Sequence, residues 1–223
     1  MTTCAPVQTL KLNEFMIGRL ISGMAVTDKH DLVVVDLRAA YLVDAVSGRL
    51  IRVVGAGSGR GGGAAGRLVE PIGAATAADG RLVFSDRGDQ LAAKLFSARG
   101  QHVRTLAGLG LSNVGGVAVA RATGDVYVAG SDRHGVALVR GAAAAGGAAR
   151  ADTVVDVQYL SDFEHPYSVA VSPTTGDVIV GDDHAQTVKA KLHYASGFEA
   201  GRRHIRRWSA TSFEPDSNQL RTR

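Results

Sequence analysis

Four stretches of this 223-residue chain carry residue types that could do chemistry. Gly57-Ser58-Gly59-Arg60-Gly61-Gly62 has the G-x-G-x-x-G spacing of a turn that wraps a dinucleotide, with Asp79 about 20 residues further on. Asp182-Asp183-His184 and Asp132-Arg133-His134 set carboxylates beside imidazoles, the groups of a metal site or a general base. The run GRRHIRRW, from Gly201 to Trp208, joins arginines to one aromatic, a combination that grips phosphate and stacks a base.

The elements around these stretches decide what each can do. A dinucleotide turn needs a helix N-terminus behind it to meet the pyrophosphate. The glycines lead instead into LVEPIGAA, a strand with a proline, so the spacing comes from glycine-rich composition and no cofactor is expected. A metal needs three or four converging ligands held by outer partners, which one Asp-Asp-His triplet does not supply. An Asp closing a strand is explained by bonds to the N–H groups of its own turn. The seven histidines show no i, i+4 pair on a helix, and no serine sits in a nucleophile elbow. The residues therefore point to no catalytic and no metal-ligating group. Glu70 before Pro71 is only a faint echo of an axial ligand.

A repeat organises the chain. GMAVTDKHDLVVVD, GAATAADGRLVFSD, VAVARATGDVYVAG and VAVSPTTGDVIVGD each pair a small apolar strand with a second one through a polar turn. Their closing residues Asp36, Asp86, Gly130 and Asp182 recur at intervals of 50, 44 and 52 residues. The second runs are continuous apolar stretches, as in strands covered on both faces. The first carry Ala25, Ala74, Ala118 and Ala170, whose small side chains suit crowding around an axis. Two outer strands follow in the clearer units, as in QLAAKLFSARGQHVRTLAG with its turn at Ser97 to Gly100. The fold expected is all-β: a β-propeller of four-stranded antiparallel blades. Its four clear blades start near residues 21, 71, 115 and 166, either as part of a six-bladed ring or as a smaller closed one. Residues 1–208 form the propeller, with 209–223 as a disordered tail and GAAAAGGAAR (141–150) as a flexible insertion.

The stretches EPIGAATAADGRLVFSD with LFSARGQHVRTLAG, and HPYSVAVSPTTGDVIVGDD, resemble the NHL-repeat family over roughly residues 20 to 200. The family's Asn-x-Arg after the strand-ending Asp is replaced here by other residues. The resemblance is to the C-terminal NHL domains of tripartite-motif (TRIM) ubiquitin ligases. It implies a module that recognises a protein partner in ubiquitination, with RNA as a second ligand. Only one cysteine is present, so this chain holds no RING or B-box. The alternative class is a metal-dependent hydrolase or lyase on a related propeller, of the lactonase or amidating-lyase type.

Propeller connectivity sorts the loops, since turns after the second and fourth strands share one face. That face collects Arg38, Arg60, Arg67, Arg87, Arg133, His134 and His184 as candidate partner-binding residues, with Asp36, Asp89, Asp132, Asp182 and Asp183 among them. Any nucleic-acid contact falls to Arg202, Arg203, Arg206, Arg207 and Trp208. The net charge of +4 sits wholly in residues 201–223, where six Arg oppose Glu214 and Asp216, leaving 19 bases and 19 acids elsewhere. The opposing reading of GRRHIRRW is a basic outer strand. A lone Cys4, no signal-like N-terminus and no apolar run of membrane-spanning length point to a cytoplasmic chain without membrane contact.

Overall fold

A computed structural model describes residues 10, 12, 20–56, 66–88, 92–111, 113–131, 134–144, 157–160, 163–183, 187–191 and 205–209. Sixteen strands lie among them. Blade 1 comprises β1 (Ile21–Val26), β2 (Leu32–Asp36), β3 (Ala40–Val43) and β4 (Leu50–Val54). Blade 2 comprises β5 (Pro71–Thr76), β6 (Leu82–Asp86), β7 (Ala92–Phe96) and β8 (His102–Leu106). Blade 3 comprises β9 (Val114–Ala120), β10 (Asp125–Gly130), β11 (Gly135–Val139) and β12 (Val157–Leu160). Blade 4 comprises β13 (Pro166–Val171), β14 (Val178–Asp182), β15 (Thr187–Lys191) and β16 (Ile205–Ser209).

Each set forms one antiparallel sheet whose strands pair in chain order. β1 packs on β5, β5 on β9 and β9 on β13, so the first strands gather about an axis and the fourth strands lie outermost. This is a β-propeller arrangement of four blades among the described residues, with no α-helix.

The core lies between blades. β2, β6 and β10 are buried almost throughout, because a blade or a covering segment lies over each face. Val33, Val35 and Leu42 of blade 1 meet Leu82, Phe84 and Phe96 of blade 2. Val83 and Leu95 then meet Val117, Val126 and Val128, and Tyr127 and Leu138 meet Val178 and Val180. Each such side chain removed from water contributes about 1.5–3 kcal/mol. β14 alternates instead, with Ile179 38% exposed between fully buried Val178 and Val180.

Three expectations change at this level. The axial contact is made by glycine rather than alanine: a Cβ on Gly23 would lie 2.7 Å from the Ile72 carbonyl and 2.9 Å from the Gly73 Cα. Strand register also makes Ala75, not Ala74, the counterpart of Ala25, since Ala25 pairs with Val33 and Ala75 with Val83. One residue of slip puts a side chain on the other face of its sheet. The third concerns the alanine run, whose first residues are not a loose insertion. Ala142 and Ala143 are buried, and Ala143 donates its N–H to the Gly124 carbonyl at 2.7 Å. The Arg81 guanidinium of blade 2 caps the Ala144 carbonyl; residues 145–150 lie outside the described residues.

The turns between first and second strands need a left-handed residue, supplied by Gly80 (φ 79°), Gly124 (φ 72°) and Gly176 (φ 72°). Blade 1 closes its turn with the same hydrogen bonds as blade 2, but with His30 at φ 63°. Left-handed geometry costs a side-chain-bearing residue about 1–2 kcal/mol, partly offset by the greater chain entropy of glycine. His30→Gly is therefore expected to raise stability by about 0.5–1 kcal/mol in urea unfolding. A loss of stability would show that the imidazole makes a compensating contact.

Candidate functional site

The strand-ending aspartates anchor one end of the propeller. Asp36 accepts backbone N–H bonds from Arg38 and Ala39 at 2.8 and 2.9 Å, as a turn-capping residue does, and the Tyr41 hydroxyl at 3.0 Å. Asp86 and Asp182 depart from that expectation, because the antiparallel register sets them beside Pro71 and Pro166. Asp86 accepts the N–H groups of Val69 and Glu70 at 3.1 and 2.8 Å, and only Gly88 from its own turn, at 3.2 Å. Asp182 accepts those of Glu164 and His165 at 2.7 and 2.8 Å. Each of these two carboxylates thus ties the segment that enters its own blade. Asp86 also accepts the Lys94 ammonium at 2.6 Å, with both side chains almost wholly buried.

With those segments tied down, one further step of the first-to-second strand pairing brings polar residues to the axial mouth. In blade 2 the Arg87 N–H bonds the Glu70 carbonyl at 2.9 Å, and the guanidinium lies 3.4 Å from the Glu70 carboxylate. In blade 3 the Asn113 amide donates to the Ser131 hydroxyl at 2.7 Å. In blade 4 the Asp183 N–H bonds the His165 carbonyl at 3.2 Å, and the His165 Nδ1 meets the Asp183 carboxylate. The equivalent positions of blade 1 are Leu20 and Leu37. A guanidinium–carboxylate, an amide–hydroxyl and an imidazole–carboxylate pair thus follow one another around the axis, the first and last half-exposed and the Ser131 hydroxyl between them buried. Arg87 is loosely held: its second contact, to the Val114 carbonyl, is also 3.4 Å, and its buried Nε has no acceptor among the described residues.

The structure draws together part of the predicted face. Arg87 lies in the ring, and His134 reaches from the loop after β10 to the Glu164 carbonyl beside it. Arg38 and Arg67 are exposed on the same edge, the Arg67 carbonyl accepting the Lys94 ammonium. Arg60, Arg133, His184, Arg202 and Arg203 lie outside the described residues. Arg206, Arg207 and Trp208 fall within β16, the outermost strand of blade 4. Asn113, Ser131 and His165 were not singled out by sequence. The signal that finds them is the register, extended one residue past Pro71–Asp86 and its counterparts. Among the described residues no group of three or more His, Cys, Asp or Glu could hold a metal, and no helix is long and apolar enough to cross a membrane.

Two side chains outside the ring have displaced titrations. Burial, then the nearby Asp125 carboxylate, push Tyr127 up to about 12, so it stays a neutral phenol between blades 3 and 4. Bonds from the Ser47 N–H and hydroxyl hold Asp44 below the usual carboxylate range in the β3–β4 turn.

No family model matches the chain, and no curated protein matches it by sequence. Solved structures share its fold. Virginiamycin B lyase from Staphylococcus aureus is 8% identical with a TM-score of 0.57, over 84% of this chain and 54% of that one. A protein of unknown function from Bacteroides caccae is 16% identical with a TM-score of 0.58, over 87% and 62%. Kuenenia stuttgartiensis hydrazine synthase is 14% identical with a TM-score of 0.54, over 77% and 45%. The chain spans about half the length of these structures. They support the propeller fold, and the likeness to NHL repeats rests on the sequence pattern alone.

Proposed function

We propose that the chain is a recognition module that binds a protein partner at the axial mouth. The supporting observation is the succession of polar pairs Glu70–Arg87, Asn113–Ser131 and His165–Asp183, one in each of blades 2 to 4, beside the strand ends. Side chains of both signs gathered at one mouth suit a polar protein segment better than an apolar or purely anionic ligand. Arg38, Arg67 and His134 extend that face outward. The resemblance to tripartite-motif ligases gives such a module substrate recognition in ubiquitination, with ligase chemistry supplied from elsewhere and RNA as second ligand.

The test compares partners captured by the unaltered chain with those captured by Arg87→Glu and Asp183→Lys. Capture is expected to fall about tenfold or more in both. Arg99→Glu, in the β7–β8 turn at the opposite end, should retain it. Equal loss in all three, or in none, would remove the axial mouth from consideration. RNA affinity measured at two salt concentrations, with and without residues 201–223, separates the two ligands. Tight RNA binding that survives the deletion would displace the protein reading.

One contact favours a second reading as a hydrolase or lyase. A carboxylate that orients an imidazole is the layout of a general base, and His165 and Asp183 have it at the mouth of a fold shared with a lyase. Stoichiometric metal in purified protein, with ring-opening or elimination activity abolished by His165→Ala, would put this reading first.

A further inference from the structure

The β15–β16 hairpin concentrates the positive charge of the chain. β15 carries Lys189 and Lys191, β16 carries Arg206 and Arg207, and neither strand holds an acid. Residues 187–209 have six Lys and Arg against Glu199 alone, leaving 19 bases and 20 acids elsewhere. The two basic stretches are separate in sequence, and the antiparallel register joins them: Lys189 lies directly opposite Arg207, and Ala190 opposite Arg206. Strand alternation puts Lys189, Lys191 and Arg207 on the face shared with Val178 and Val180, which is turned toward blade 3, and Arg206 on the other face. Like charges directly opposite one another destabilise a sheet, so blade stability does not account for this ladder. β16 is also the last strand of its sheet, with no described strand beyond it. The fourth strand is outermost in every blade of a propeller, so this edge is open whatever the number of blades.

We propose that the outer edge of blade 4 takes an acidic, extended protein segment as a fifth strand, on a surface separate from the axial mouth. Backbone chemistry and charge together choose this occupant. An edge strand offers alternating N–H and C=O groups, and another peptide backbone pairs with both. A phosphate presents acceptors only and leaves the carbonyl row unpaired. An added strand repeats the rise of β16, about 3.3 Å per residue, so neighbouring acids fall opposite Arg206 on one face and Arg207 on the other. Opposite charges paired across strands stabilise a sheet, by the rule that makes Lys189 opposite Arg207 unfavourable. Charge on an edge turns away like strands and admits complementary ones. The other outer strands lack it: of Lys and Arg, β4 holds only Arg52, β8 only Arg104, and β12 none.

Fluorescence anisotropy of a short labelled peptide of Val, Thr and paired Glu residues, titrated with the whole chain, tests this. The peptide is expected to bind, to slow amide exchange in residues 205–209, and to lose about tenfold or more in affinity with Arg207→Glu or Lys189→Glu. Lys189→Glu replaces a like-charge pair by an opposite one, so urea unfolding should show undiminished stability and separate lost binding from lost folding. Arg52→Glu, on the outer strand of blade 1, should leave the affinity unchanged. Proline at alternate positions of the peptide keeps its charge and removes N–H groups, and should abolish binding. An oligothymidylate of equal length should bind more weakly than the peptide. No binding, affinity indifferent to both hairpin substitutions, equal binding of the proline peptide, or preference for the oligonucleotide would each overturn the proposal.

Discussion

Asp86→Ala should lower the free energy of unfolding by about 3–5 kcal/mol, the loss expected when one member of a buried ion pair is removed. Three features of the site set that size. The Lys94 ammonium, 2.6 Å from the carboxylate with its side chain 8% exposed, would be left charged beside only the Arg67 carbonyl. The N–H groups of Val69 and Glu70 would lose the acceptor that holds their segment against β5. That segment also carries Glu70 to the axial mouth, so the ring should loosen together with the blade. Asp86→Asn retains an acceptor and should cost less. Urea unfolding followed by far-UV circular dichroism measures both. A loss below about 1 kcal/mol would place the pair in the class of exposed salt bridges and contradict its burial.

Gly115→Ala should destabilise by about 2–3 kcal/mol through overpacking alone. A methyl there would lie 2.3 Å from the Tyr167 carbonyl, and neither backbone can swing aside without parting β9 from β13. Gly108→Ala is the matched control, because its Cβ would meet nothing within 4 Å and only its φ of 74° opposes the side chain. That conformational cost is about 1–2 kcal/mol. If the two substitutions prove equally costly, the close approach of blades 3 and 4 at the axis is not present in solution.

Much of the architecture was legible because it is local. LVVV, LVF and VYVA announce strands covered on both faces, and Gly80, Gly124 and Gly176 announce left-handed turns; both follow from residue type and a few neighbours. Strands begin at Ile21, Pro71, Val114 and Pro166, within a residue of where the repeat sets them. The alanine positions show the limit of such reading. An apolar pattern specifies which residues are small without stating register, and Ala74 proved to face the opposite way from Ala25.

The aspartates show the limit again. Sequence assigned Asp36, Asp86 and Asp182 to their own turns, and blade 1 obeys. In blades 2 and 4 the segments preceding Pro71 and Pro166 run beside the carboxylate and supply the N–H groups instead. Blade 3 has Gly130 at this position, where a Cβ would meet Leu111 at 2.3 Å, so an apolar side chain occupies the space.

By itself the sequence determined the repeat, the strands and turns within each unit, the all-β class and the concentration of net charge in residues 201–223, because these depend on neighbours along the chain. Tertiary structure decided which residues meet across it. Glu70 with Arg87, Asn113 with Ser131 and His165 with Asp183 lie 17 or 18 residues apart, and their approach depends on strand register and the curl of blades about the axis, neither of which is encoded at any one position.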